Sequence, residues 1–244
     1  MKILQLNVWM GKVEGELQRF LEQNDYDIIC MQEVMYSADR ELQLSRMCFD
    51  LSRIIKAVKM PYSYYSPNFG IDFSGGTMEI GNVILSRIPI TEKHSEFIHG
   101  HYVPNTMLGE SPANNLNIQT VKLENGLTVV NHHGFWRPQP LGDEDTVEAF
   151  AKVGKIVGKL QGPLVLCGDL NIIHEAPAMR SLDFLRDLTD EHKIKTTLSG
   201  LKFNGPVPCD HIMVNDRVQV NHFAVLDALA SDHLPVEAEI ELSC

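Results

Sequence analysis

Long apolar runs are missing from this chain. None of its 244 residues falls in an unbroken apolar stretch of the 18 or so that a bilayer span needs, so no membrane-spanning helix is expected. Cysteine is scarce: the five (Cys30, Cys48, Cys167, Cys209, Cys244) form no C-x-x-C and no His/Cys cluster. Their odd number and spacing exclude a disulfide framework and a structural zinc site. Cys30 and Cys167 sit inside apolar strand patterns and read as small buried hydrophobes. Basic charge is short too, with 21 Lys and Arg against 32 Asp and Glu, a formal net charge of −11. That balance disfavours tight, sequence-independent binding to duplex DNA. It does not exclude local contact with an anion, because a cation site needs carboxylates. Repeats, low-complexity segments and Pro/Gly/Ser-rich linkers are absent. The reading is one domain over 1–244, long enough for a substantial core. The opening Met1-Lys2-Ile3-Leu4-Gln5-Leu6 reads as a strand and not as a secretory leader, so a cytoplasmic protein is expected.

What is present is a series of short β-runs, over 2–8, 27–32, 62–66, 79–87, 116–124, 127–133, 163–168, 210–215, 218–226 and 235–242. Several alternate apolar and polar residues, as half-buried strands do. Asn125-Gly126 marks a tight hairpin, both residues tolerating positive φ. Helical spacing fits 13–24, 39–58 and 146–160, the last starting at Thr146. Many strands with few helices between them predict an α+β fold, two sheets face to face with helices outside. Segments 66–77 and 93–115 read as long loops, with Asn68-Phe69-Gly70 and Gly75-Gly76 as a flexible rim. His94, His99 and His101 read as solvated loop residues.

Polar residues recur where the apolar runs stop. Ile3-Leu4-Gln5-Leu6 ends in Asn7-Val8-Trp9, and Ile28-Ile29-Cys30-Met31 ends in Gln32-Glu33. Thr128-Val129-Val130 ends in Asn131-His132-His133-Gly134, and Leu164-Val165-Leu166-Cys167 ends in Gly168-Asp169-Leu170-Asn171. Asp210-His211-Ile212 follows Pro208-Cys209, and Ser231-Asp232-His233 precedes the last strand. Brought to one rim, such residues suit phosphate ester hydrolysis. Hard oxygen ligands such as Glu33, Asp169 and Asp232 bind Mg²⁺ or Mn²⁺. A carboxylate activates water, and imidazoles stabilise the pentacovalent charge or carry protons. Alternation along a strand puts His132 and His133 on opposite faces, so one of the two, expected to be His132, packs in the wall.

These motifs, with Gly-Asn-Val-Ile-Leu-Ser-Arg at 81–87, stand in the order in which the endonuclease/exonuclease/phosphatase superfamily carries them. The chain resembles that superfamily from Asn7 to His233. The resemblance implies a DNase I-like four-layer α/β/β/α sandwich of two mixed sheets and a hydrolase dependent on Mg²⁺ or Mn²⁺. It implies that Glu33 binds the metal, assisted by Asn7, with Asp232 near metal and water. Asp169 activates the attacking water beside Asn171. His133 and His233 contact the phosphate, and Asp210 orients His233. Asn82 and Glu79 carry over less directly, Asn82 toward substrate and Glu79 as an acidic partner behind the middle histidine. The Pro-Cys-Asp-His segment departs from the family pattern at the residues flanking Asp210.

Trp136 and Arg137, with Phe135, follow His133 directly and could grip a base or headgroup by stacking and charge, or pack against the next helix. The acidic run Gly142-Asp143-Glu144-Asp145 suits a helix N-terminus. The expected substrate is a phosphodiester, with nucleic acid ahead of a small or lipid diester, and no obligate protein partner is expected. A phosphomonoesterase on an inositol phosphate is the rival enzyme, with Arg87 and Arg137 as its only plausible basic contacts. A non-catalytic protein of the same fold is the rival of another class. It would be expected to have lost Glu33, Asp169 or His233, and all three are present.

Overall fold

The computed structural model describes residues 1–39, 42, 49–73, 76–104, 115–201 and 205–243. Cys48, Gly75, Cys244 and most of the 105–115 part of the expected loop lie outside them. One six-stranded sheet runs in the order β11 (Val218–Val225), β12 (Val236–Leu242), β1 (Lys2–Asn7), β2 (Ile28–Tyr36), β4 (Gly76–Ser86) and β3 (Tyr62–Phe73). The other runs β5 (Ile90–His99), β6 (Leu116–Leu123), β7 (Thr128–His132), β8 (Leu164–Asp169), β10 (Asp210–Val214) and β9 (Arg186–Asp187). Both sheets are mixed, β1 lying parallel to β2 and β7 parallel to β8 while the other pairings are antiparallel.

Period-two alternation sorts the strand residues into layers. Ile3, Ile28, Cys30 and Ile84 of the first sheet meet Val129, Val165, Cys167 and Ile212 of the second in the central core. The opposite face of the first sheet, through Leu4, Leu6, Ile29 and Met31, packs on α1 (Glu14–Gln23) and α2 (Leu51–Val58). The outer face of the second sheet, through Val130, Leu164 and Leu166, packs on α3 (Glu144–Val157). A further turn of helix, α4, covers Leu188–Glu191. Four layers result, as the sequence pattern predicts.

Local chemistry sets the helix ends. Asp143 caps α3 in a capping box with Thr146, so the helix starts two residues before the expected Thr146. Asp50 caps α2 by accepting from the Arg53 amide, so the C-terminal part of the expected helix over 39–58 is a helix of its own, Leu51–Val58. The Asn125-Gly126 turn is longer than a two-residue hairpin. Only Gly126 takes a positive φ, 88°, while the Asn125 side chain accepts from the Leu127 amide.

Parts of the two expected loops, most of 66–77 and residues 93–99, are strands. Residues 66–77 lie largely in the β3/β4 hairpin, so Asn68, Phe69 and Gly70 are ladder residues and not a loose rim. His94 and His99 lie in β5, an edge strand paired only with β6 and mostly exposed. With one partner and a solvated face, β5 has no need of the apolar alternation by which a strand is recognised. The two-residue β9 was likewise not expected.

Candidate active site

Alternation that sends Ile3, Ile28, Val129, Val165 and Ile212 to the central core sends Asn7, Asn131, His133, Asp169 and Asp210 to the same inter-sheet side. Beneath the site lies a ladder of buried amides. Gln5 and Gln32 exchange hydrogen bonds at 2.6 and 2.9 Å, and Gln32 Nε2 donates to Asn131 Oδ1 at 2.7 Å. Asn131 Nδ2 donates to the Met31 and Val83 carbonyls of the opposite sheet, each at 3.0 Å. The ladder ties the two sheets together at the level where the apolar core ends. It is visible in sequence only as polar residues at inward positions of otherwise apolar strands.

Asp169 is the hub. It is 1% exposed at the end of β8. Its Oδ2 accepts from Asn7 Nδ2 at 2.9 Å and lies 3.5 Å from His133 Nε2 and 3.6 Å from His233 Nε2. Its Oδ1 accepts from the Asn171 amide at 3.1 Å. Asn171 has a φ of 57° and donates through Nδ2 to the Gly134 carbonyl at 3.2 Å. Asn7 Nδ2 also donates to Glu33 Oε1 at 3.2 Å, so this one amide bridges the two carboxylates.

Glu33 reaches the site through a bulge. The β2/β4 register shifts between Met31 and Val34, and Glu33 takes a φ of 55°. That left-handed backbone is unfavourable for a glutamate, and such residues concentrate at functional sites. Periodicity cannot reveal it.

His233 is fully buried and donates through Nδ1 to Asp210 Oδ2 at 2.7 Å. Burial works against its charge, but the Asp210 and Asp169 carboxylates outweigh burial and raise its pKa well above the usual imidazole value. The same Asp210 oxygen accepts from the Thr197 hydroxyl at 2.6 Å, and Gln5 donates to Oδ1 at 3.2 Å. Thr197 is a supporting residue that the sequence reading missed, since a lone threonine in a loop carries no signal. Burial, with Asp169 and Asp210 nearby, pushes the Cys209 thiol up to about 12. Among the described residues, one ligand atom each from Asp169, Cys209, Asp210 and His233 lies within 4.8 Å of the others, a spacing that could hold a metal ion.

The remaining expected residues divide. Asp232 is buried beside His233, its carboxylate accepting from Ser231 Oγ at 3.1 Å. His132 points to the wall, bonded to the Asn117 carbonyl and edge-on to Phe150; burial lowers it to about 4. Asn82 is fully buried and donates to Asn117 Oδ1 at 3.2 Å. Glu79 accepts from the Tyr102 hydroxyl at 2.8 Å, so its observed partner is Tyr102 and not His133. Arg137 pairs with Asp143 and Asp145 and stacks over Phe135. Phe135 is core, whereas Trp136 is 53% exposed at the rim. Arg87 pairs with Asp25 at the far end of β2 from Glu33. A cavity of about 350 Å³ opens directly on Glu33, His133, Asp169 and Asn171.

Gly134 sets the spacing of the site. A Cβ there would stand 2.1 Å from the Leu170 carbonyl oxygen. Gly134→Ala must separate the His133 and Asp169 segments. It is expected to lower turnover about 100-fold and to destabilise by about 1–3 kcal/mol, as read by steady-state rates and denaturant midpoints.

Behind the site, Asp187 Oδ2 accepts from His211 at 2.9 Å and His174 at 3.0 Å. Burial disfavours charge on His211, yet Asp187 outweighs it and raises the ring to about 9. This histidine therefore stabilises the fold fully below pH ~6.5, its unfolded value, and that contribution is lost as pH rises through about 9. His211→Asn is expected to remove a pH-dependent component on the order of 3 kcal/mol. Chemical denaturation between pH 6 and 10 measures it.

The residues that meet here make up a candidate active site. A model of the Endonuclease/Exonuclease/phosphatase family matches residues 4–233, and the chain belongs to that family. Members of the family are phosphoric ester hydrolases, and the chain is an enzyme of that class. Among solved structures it is similar to an endonuclease/exonuclease/phosphatase family protein from Leptotrichia buccalis, with a TM-score of 0.68, 18% identity and coverage of 99% of this chain and 100% of that one. It is similar to a Bacteroides thetaiotaomicron mannosyl-6-phosphatase, with a TM-score of 0.65, 18% identity and coverage of 99% and 100%. It is also similar to ANGEL2, a 2',3'-cyclic phosphatase, with a TM-score of 0.65, 10% identity and coverage of 98% and 94%. These likenesses establish the DNase I-like sandwich. No functionally curated protein sequence matches the chain.

Proposed function

We propose that the protein is a divalent-metal-dependent phosphodiesterase in which Asp169 activates water. The observation that carries this is the convergence on one buried carboxylate of Asn7, His133 and His233 from three distant segments, with Asn171 of its own loop donating to it as well. Asp169 takes a proton from water, whose oxygen forms the new bond to phosphorus as the leaving P–O bond breaks. His233, kept toward its protonated form by Asp210, offers a proton to the phosphoryl group or the leaving oxygen. His133 faces it across Asp169 and contacts the phosphate. Asn171 fixes the Asp169 loop.

Glu33 and Asp232, with Asn7 bridging from Glu33 to Asp169, would hold the cation. The donor chemistry fits: these are hard oxygens, and Glu33 is half-buried and fixed through only one of its oxygens. A divalent cation such as Mg²⁺ or Mn²⁺ held there would supply neutralisation of phosphate charge and stabilisation of the leaving oxygen. The free thiols of Cys30, Cys167 and Cys209 support a reducing, cytoplasmic location, and among the described residues no helix is long and apolar enough to cross a membrane.

A second reading, phosphomonoester hydrolysis, draws support from the mannosyl-6-phosphatase neighbour. Initial rates on bis-p-nitrophenyl phosphate and p-nitrophenyl phosphate with Mn²⁺ separate the two. Faster cleavage of the diester supports the diesterase, and a preference for the monoester would replace it with the second reading.

A further inference from the structure

We infer that the substrate carries, beside its scissile phosphate, one uncharged ring and no second phosphate. This deepens the phosphodiesterase reading and rests on it. The cavity that opens on Glu33, His133, Asp169 and Asn171 has its other walls from Met10, Phe69, Ile80, Leu116 and Trp136. Ile80 and Leu116 are buried in its wall, and Trp136 stands exposed at the rim. Such walls favour a flat apolar group and reject charge. Two amides, Asn68 and Asn115, also line it and offer hydrogen bonds to a ring edge without charge.

Among the described residues, no Lys or Arg lines this cavity. Residues 105–114, which lead into Asn115, contain neither in the sequence. Arg137 is engaged by Asp143 and Asp145, and Arg87 is held by Asp25. A second phosphate would lie among apolar side chains and beside the Glu33 and Asp169 carboxylates, with no cation among the described lining residues to meet it. The volume, about 350 Å³, stands near the lower end of ligand pockets. It accommodates one ring system. Ring contact with Phe69 and Trp136 provides sequence-tolerant binding of the kind aromatic platforms give.

Calorimetry with non-hydrolysable phosphonates in the presence of Mn²⁺ tests this. Benzylphosphonate and phosphonomethoxyethyl-adenine are expected to bind at least about tenfold tighter than methylphosphonate. p-Xylylenediphosphonate, which adds a second phosphonate across the ring, is expected to bind no tighter than benzylphosphonate. In Leu116→Ser and Phe69→Ala the ring-to-methyl affinity ratio is expected to fall at least about threefold. The ratio is read so that a general loss of folded protein does not mimic the effect. Equal affinity of ring and methyl phosphonates overturns the inference, as does a ratio unmoved by both substitutions or a tenfold gain from the second phosphonate. Loss of the ring preference with diester cleavage intact sinks this inference alone. A retained ring preference without diester cleavage sinks the phosphodiesterase reading instead.

Discussion

Asp169→Asn is expected to lower kcat by about 10²–10⁴-fold, the usual worth of a positioned general base, while the melting temperature shifts by less than about 5 °C. The substitution is nearly isosteric. It keeps one oxygen, which can accept either from Asn7 or from the Asn171 amide, and turns an NH2 toward the other donor at a small cost in stability. What it removes is the basic carboxylate between the two imidazoles. Turnover measured under saturating metal, beside a thermal melt, separates the chemical loss from unfolding. Near-full turnover in that variant would remove Asp169 from the water-activating role.

Glu33→Ala is expected to raise the Mn²⁺ or Mg²⁺ concentration for half-maximal activity by at least about tenfold. Alanine also lacks the acceptor that now receives one hydrogen bond of Asn7, leaving that amide to Asp169 alone. The backbone effect is small by comparison, since alanine at a φ of 55° meets the same steric limit as glutamate. A metal titration of initial rates measures the shift. An unchanged half-saturation point would place the cation elsewhere.

Much of this site is legible in the sequence because strands obey a period of two. Once Val129 and Val165 are assigned to the central core, Asn131, His133, Cys167 and Asp169 must follow them. That rule separates His133 from His132, whose ring lies against Phe150 on the outer layer. The same rule fails where the ladder is broken. Glu33 enters through a bulge and a left-handed residue, which no spacing pattern encodes. It fails again where a strand has no apolar face to bury, as in β5.

Side-chain pairing is the other hidden layer. Arg137 looks available for substrate until folding brings Asp143 and Asp145 to it. Thr197 carries no motif, yet it holds Asp210 through its hydroxyl and receives the Asp210 amide. Phe69 and Leu116 come from strands of different sheets, and only packing makes them walls of one cavity. The candidate catalytic set is readable because most of its members sit at strand ends. The binding walls are not, because apolar residues in strands look alike whether they face a core or a ligand.

The most direct test is hydrolysis of bis-p-nitrophenyl phosphate by the purified protein before EDTA, after EDTA, and after Mn²⁺ is restored. Cleavage that stops with the chelator and returns with the metal is the predicted result. A rate indifferent to EDTA, or no cleavage of any phosphate ester with any divalent cation, would contradict the metal-dependent hydrolytic role assigned to this cluster.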